Sequence, residues 1–167
     1  MKTSQAPELR ARDAVANTLI DLLQVPTIYF DAPWPTPHSR VDLLVIDRAG
    51  AGDVHVVQIA KDLNAVRRVL PQLMKIPAQF RWVSYVAEDL NSDLEGALTE
   101  YARVDKVPLF SPQGMGRIGV ILVTADEGPH GEHLSGEIAV RAERFPGSYY
   151  DEADKFVKKH KPDILFR

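Results

Sequence analysis

Cysteine is absent from this chain, and several other features are scarce. The 167 residues include two tryptophans, and no apolar run approaches the roughly 20 residues that span a bilayer. The absence of cysteine excludes disulfides, thiolate metal sites and a cysteine nucleophile. The net charge is −3, so the chain as a whole is not a polycation, and a nucleic-acid site has to be a local patch. The N-terminal residues lack the apolar core of a signal peptide, which favours a soluble cytoplasmic protein without a membrane partner.

The composition is typical of a globular domain. Hydrophobic residues make up 45% and charged residues 26% of the chain, and its length is sufficient for one complete core. No repeat, low-complexity segment or interdomain linker interrupts the sequence. We therefore predict a single domain over residues 1–167, with a short C-terminal tail at 162–167.

Hydrophobic periodicity predicts an alternation of helices and strands. Helices are predicted at 4–24, 63–76, 89–104 and 150–160, and strands at 27–30, 41–47, 54–60, 80–86, 117–124 and 137–142. Proline- and glycine-bearing loops are expected at 31–39 and 107–115, and a polar turn at 126–133. This order predicts a single three-layer α/β/α domain with a central mixed sheet covered by helices on both faces.

The stretch from Arg40 to Lys61 contains the residues best suited to chemistry. Side chains alternate along a strand, so Asp42 shares a face with Leu44, and Gln58 shares a face with Ala60, while Lys61 points the other way. If the hairpin sets Asp42 beside Gln58, an acid and an amide meet near the strand ends, and Glu8 of the first helix is within reach. Carboxylate, amide and backbone carbonyl oxygens suit Mg²⁺ or Mn²⁺. Such an ion would activate a water molecule and stabilise a phosphate in the transition state.

These residues and the order of elements resemble the PD-(D/E)XK nuclease-like superfamily, which has the restriction-endonuclease-like fold. That family places an acid on the first helix, an Asp on the second strand and (Asp/Glu)-x-Lys on the third strand. Asp42 matches the strand Asp, Gln58 falls at the Asp/Glu position, Ala60 falls at the Lys position, and Glu8 best matches the helical acid. The resemblance covers about residues 5–125. It implies association with DNA and, in an active member, Mg-dependent hydrolysis of phosphodiesters with a metal held by Asp42, Gln58, the Ile59 carbonyl and Glu8.

The chain departs from the family pattern at the lysine. Lys61 lies one residue late, so it reaches the site only if a bulge after Ile59 turns it back. A cation from the next helix, among Arg67, Arg68 and Lys75, is the alternative. The change from a carboxylate to Gln58 also removes one negative charge from the metal site. Two functions stay open: a metal-dependent endonuclease using Asp42, Gln58, Lys61 and Glu8, and a degenerate member that only binds.

Several residues have simpler explanations beside the functional ones. Asp42 can pair with Arg40, and Lys61 can be a solvated charge at a strand end. The basic residues Arg67, Arg68 and Lys75 can contact a phosphate backbone or form a solvated face. Trp34, in the proline-rich loop, can stack on a base, mark a protein interface or pack locally. The expected partner is a nucleic acid, DNA first; the alternative is a non-catalytic interaction module that contacts a protein as an immunity, assembly or regulatory subunit. A homodimer is left open.

Overall fold

The computed structural model describes residues 7–61, 63–86, 116–129 and 131–166. Within the helices and strands, the side chains of residues 7–10, 63, 64, 67, 126–128, 131, 132 and 166 lie outside that description. The elements in chain order are α1 (Pro7–Leu22), β1 (Pro26–Ala32), β2 (Val41–Asp47), β3 (Asp53–Ala60), α2 (Leu63–Leu73), β4 (Phe80–Val86), β5 (Gly119–Gly128), β6 (Gly131–Val140), α3 (Tyr150–His160) and β7 (Ile164–Phe166). The helix predicted at 89–104 and the loop predicted at 107–115 fall outside the described residues.

The strands form one mixed sheet. Its seven strands lie in the order β6-β5-β4-β3-β2-β1-β7. The central strands β3, β4 and β5 run parallel to one another, and the pairs toward both edges are antiparallel. Continuous apolar runs in β2, β3 and β4 are consistent with this central position, because strands covered on both faces bury nearly every side chain.

Two hydrophobic clusters, one on each face, give the domain its layers. On one face, Ala11 and Leu19 of α1 pack with Leu43 of β2 and Val57 of β3. On the other face, residues of α2 and α3 pack with the alternate strand positions; this cluster includes Leu44, Val56, Ala60, Val66, Leu70, Ala153 and Val157. The prediction of an α/β domain with a mixed sheet between helical layers is therefore confirmed.

The structure corrects two predictions near the C-terminus. The residues predicted as a polar turn at 126–133 are mostly strand, because β5 continues to Gly128 and β6 begins at Gly131. The predicted tail at 162–167 contains β7, in which Ile164 pairs with Tyr29 and Phe166 with Ile28 of β1. The edge of β1 supplies the hydrogen bonds that a three-residue strand cannot supply for itself.

Two further details concern α2 and membrane insertion. Pro71 lies inside α2 on the exposed side, and the helix continues past it to Leu73. Within the described ranges, no helix combines the length and the apolar character needed to cross a bilayer.

Candidate functional site at the end of strands β2 and β3

The end of the β2–β3 pair brings Asp42 and Gln58 together, as the strand alternation predicted. The last registered pair is Leu43 with Val57, so Asp42 comes next to Gln58. The Asp42 backbone N–H donates to Gln58 Oε1 at 3.0 Å, and Gln58 Nε2 donates to the carbonyl oxygen of Arg40 at 3.3 Å. The Ile59 backbone N–H donates to Asp42 Oδ2 at 2.6 Å. Side chains thus replace the backbone-to-backbone bonds of a regular antiparallel ladder at this end.

This network determines what the Asp42 and Gln58 oxygens can do. Oδ2 of Asp42 accepts the Ile59 N–H, and the Gln58 carbonyl oxygen accepts the Asp42 N–H, so each already uses one lone pair inside the protein. A divalent cation would have to share these oxygens with, or displace, the N–H groups. Within the residues that the structure describes, no three His, Asp or Glu side chains converge in a way that could hold a metal ion.

The lysine position of the family pattern is occupied by a buried methyl group. Ala60 is 2% exposed and belongs to the core cluster on the α2–α3 face. The pairing of β3 with β4 runs regularly through Ile59 with Ser84 and Ala60 with Tyr85, so the bulge considered after Ile59 is not there. Lys61 is exposed beyond the end of the strand. The strand therefore does not turn Lys61 back toward Gln58.

The helix that carries Glu8 lies on the other face of the sheet. Leu44 and Ala60, which share strand faces with Asp42 and Gln58, belong to the cluster covered by α2 and α3. Residues of α1 instead pack with the opposite cluster. The side chain of Glu8 is outside the described set, so its role as a metal ligand stays a prediction. To join Asp42 and Gln58, it would have to reach around the end of the sheet.

The basic residues predicted to contact nucleic acid, Arg67, Arg68 and Lys75, lie on or just after α2. Arg68 and Lys75 are exposed, and the side chain of Arg67 is not described. More cations lie at the end of α3, where Lys155, Lys158, Lys159 and Lys161 are all exposed. The α2–α3 side of the sheet therefore carries exposed positive charge although the whole chain is slightly acidic.

Trp34 packs inside the protein, so its indole is not available to stack on a base. It is 3% exposed, and its Nε1–H donates to the carbonyl oxygen of Pro77 at 2.8 Å. Its ring meets Phe156 of α3 edge-on, with 5.4 Å between the centroids. Of the explanations considered for Trp34, local packing is the one that the structure supports. The indole anchors the proline-rich loop between α3 and the segment after α2.

Sequence reasoning missed an ion-pair cluster centred on Arg48, just after β2. Nη1 of Arg48 donates to Asp154 Oδ1 at 2.8 Å and to the Tyr150 hydroxyl at 3.0 Å, and Lys158 Nζ lies 2.8 Å from Asp154 Oδ2. Burial alone would lower the pKa of Arg48, but the hydrogen bonds to Asp154 and Tyr150 outweigh it and the pKa is raised. Hydrogen bonds from Lys158 and Arg48 lower the pKa of Asp154. The cluster is therefore fully charged, with two cations sharing one carboxylate.

A buried histidine on β3 was also missed as a distinctive feature. His55 is 3% exposed, and its Nδ1 accepts the Trp82 indole N–H at 3.1 Å while its ring stacks on Phe80 at 4.5 Å. Burial lowers its pKa to about 4; Asp47 opposes this shift, and Arg144 reinforces it. Because Nδ1 accepts a hydrogen bond, the neutral ring carries its proton on Nε2 and has no lone pair there for a metal. A cavity of about 130 Å³ beside the ring is well below the roughly 300 Å³ of a typical ligand pocket. We interpret His55 as a structural residue.

Comparison with known proteins identifies a similar fold and no function. No protein-family model matches this chain, and no curated protein matches it. A solved structure of a protein of unknown function from Silicibacter pomeroyi is similar, with a TM-score of 0.58 and 13% sequence identity over 95% of this chain and 89% of that chain. At this level of identity the likeness shows the fold alone, so the α/β architecture is shared by the two proteins.

Proposed function

We propose that this protein is a nucleic-acid-associated domain similar to PD-(D/E)XK nucleases, with a site that no longer hydrolyses phosphodiesters. The observation that carries the proposal is the hydrogen-bond network of Asp42, Gln58 and the Ile59 N–H. A magnesium-dependent hydrolase needs carboxylates open to the ion and a cation to stabilise the phosphate. Here one carboxylate is bonded to the backbone, an amide stands in place of the second, and the lysine position is a buried alanine.

Association with nucleic acid is supported by the charges on the α2–α3 side of the sheet. Arg68, Lys75 and the lysines at the end of α3 are exposed, as contact with a phosphate backbone requires. Binding by such contacts releases counterions, so affinity should fall steeply with salt, with a slope of about −0.9 per phosphate contacted on duplex DNA. A chain with a net charge of −3 can bind in this way because the charges on one surface, rather than the total, control the local potential.

The experiment is a cleavage and binding assay on the same preparations. Plasmid, single-stranded DNA and RNA are incubated with Mg²⁺ or Mn²⁺, beside the variant Asp42→Ala and the control Asp151→Ala, an exposed acid at the start of α3. We expect salt-dependent binding and no cleavage by any of the three proteins. Cleavage by the wild type and the control that disappears in Asp42→Ala would overturn the proposal. It would instead support a nuclease whose metal is held by Asp42, Gln58, the Ile59 carbonyl and Glu8, with Lys61 near the phosphate.

A second candidate function, a protein-interaction module, is favoured by strand β6. In the described part of the chain β6 is an edge strand paired only with β5, and residues of α1 and β6 line a cleft of about 540 Å³. An unpaired edge can add a strand from another chain. Light scattering over a range of concentrations tests self-association, with Glu137→Lys on the exposed side of β6 as the perturbing variant. A monomer at every concentration would exclude the homodimer.

A further inference from the structure

A cavity of about 390 Å³ lies between β1, the C-terminal half of α3 and the segment that leads to β7. Its charged wall consists of Arg48, Lys158 and Lys161, and its apolar wall includes Tyr29, Val157 and Ile164. The volume is within the roughly 300–1,000 Å³ range of ligand pockets. The cavity therefore has room for a phosphate group together with part of the molecule to which the phosphate is attached.

The charge balance of this cavity favours an anion. Arg48, Lys158 and Lys161 supply three positive charges, and Asp154, which bonds to Arg48 and Lys158, supplies one negative charge, leaving a net charge of about +2. The C-terminal end of α3 contributes roughly −0.5 by its dipole, which is too small to reverse the sign. Asp163 is nearby in sequence but is not among the lining residues. A doubly charged phosphate would balance the excess.

The Arg48 guanidinium is held in place before any ligand arrives, and Lys158 pairs with the same carboxylate. Arg48 uses Nη1 for both Asp154 and the Tyr150 hydroxyl, so its Nη2 remains available as a donor among the residues described. The hydrogen bond to Asp154 raises the pKa of Lys158, and its ammonium lies 2.8 Å from the carboxylate. Lys161 adopts a left-handed backbone with φ of 46° and donates its N–H to the Val157 carbonyl oxygen at 2.9 Å. A guanidinium that is already fixed loses less conformational entropy when it binds an anion.

We propose that the cavity of Arg48, Lys158 and Lys161 is a binding site for a phosphate group. This deepens the proposed function and rests on it where the phosphate belongs to a nucleic-acid backbone. The same chemistry also suits a small phosphorylated molecule, and the experiment separates the two sources. The guanidinium and the two ammonium groups would donate charge-assisted hydrogen bonds to the phosphate oxygens, and Tyr29 and Ile164 would contact the attached group.

The test measures two ligands on four proteins. Pyrophosphate is titrated while the amide signals of Val157 and Lys161 are followed by NMR, and a labelled single-stranded oligonucleotide is titrated by fluorescence anisotropy. The variants are Lys158→Gln and Lys161→Asn, the latter because asparagine tolerates the left-handed conformation. The matched control is Lys159→Gln, an exposed lysine on the same helix that does not line the cavity. Thermal unfolding checks that each variant is folded.

We expect pyrophosphate to bind near α3. Each cavity variant should lower the affinity for pyrophosphate about tenfold, because losing one charge-assisted contact has an effect of that order. The control should lower this affinity less than about twofold. Equal weakening in Lys159→Gln and Lys161→Asn, or no binding of pyrophosphate, would overturn the cavity site. Oligonucleotide binding that is unaffected by both cavity variants, beside pyrophosphate binding that both weaken, would assign the cavity to a small phosphorylated ligand and leave the proposed function standing. Binding of pyrophosphate without oligonucleotide binding would support the cavity, assign it to a small phosphorylated ligand, and overturn the nucleic-acid function.

Discussion

Burial of His55 in its neutral form should make the protein lose stability as the pH falls from neutral toward 4. The pKa of His55 is lowered from 6.5 to about 4, mainly by burial. Between pH 6.5 and pH 4 the unfolded chain binds a proton that the folded chain does not bind, so the free energy of unfolding decreases as the pH falls. A pKa difference of about 2.5, at about 1.4 kcal/mol for each pKa unit, gives a loss of about 3 kcal/mol by pH 4, where the folded histidine is itself half protonated. Above pH 6.5 this group contributes no pH dependence.

The assay is urea unfolding of the wild type and His55→Gln at several pH values. The glutamine side chain does not titrate, and its amide oxygen can still accept the Trp82 N–H. The difference in unfolding free energy between the two proteins should change by about 3 kcal/mol between pH 7 and pH 4, in the direction that disfavours the wild type in acid. NMR of the imidazole nitrogens should show an unprotonated Nδ1 in the folded protein down to about pH 5. The reasoning is refuted if His55 titrates near 6.5 in the folded protein, or if both proteins have the same pH profile.

Three further predictions concern packing and the β2–β3 end. Gly119→Ala should destabilise the protein by about 1–3 kcal/mol in urea unfolding, because a Cβ there would lie 2.4 Å from the Trp82 ring; an unchanged midpoint would contradict this contact. Trp34→Leu should cost about 3 kcal/mol through the lost hydrogen bond to Pro77 and the lost contact with Phe156, and a cost below about 1 kcal/mol would show that the loop is not anchored there. Gln58→Glu should lower the melting temperature without metal, because it removes the donor to the Arg40 carbonyl and sets a second carboxylate beside Asp42. Mn²⁺ should then raise the melting temperature of this variant more than that of the wild type. An equal Mn²⁺ effect in both proteins would count against this explanation.

The parts of the fold that sequence could predict are those with strong local patterns. The bounds predicted for 41–47, 80–86 and 150–160 agree with β2, β4 and α3, because apolar runs and an amphipathic stripe identify buried strands and a packed helix. The parts that it missed depend on partners distant in sequence. β7 is three residues long and is held by β1, and the polar first half of β6 is a strand because it pairs with β5. Pairing overrides the low strand propensity of Gly131, Glu132 and Gly136.

The same distinction holds for the candidate sites. Strand alternation was enough to predict that Asp42 and Gln58 share a face, since that depends only on a period of two. It could not predict that the Ile59 N–H would donate to Asp42, because this depends on how the two strands separate at their ends. The cluster of Arg48 with Asp154 joins residues that are 106 positions apart, and no local pattern in the sequence records it.

The amide at position 58 makes the ends of β2 and β3 better suited to internal bonding than to metal binding. Gln58 accepts from the Asp42 N–H with its oxygen and donates to the Arg40 carbonyl oxygen with its nitrogen. An ionised carboxylate could accept the first bond but could not donate the second, and it would add negative charge near Asp42 that only a cation could offset. With glutamine that second negative charge is absent, and Asp42 Oδ2 accepts the Ile59 N–H. The side chain that weakens the match to a metal site is thus the one that bonds the Asp42 N–H and the Arg40 carbonyl oxygen where β2 and β3 end.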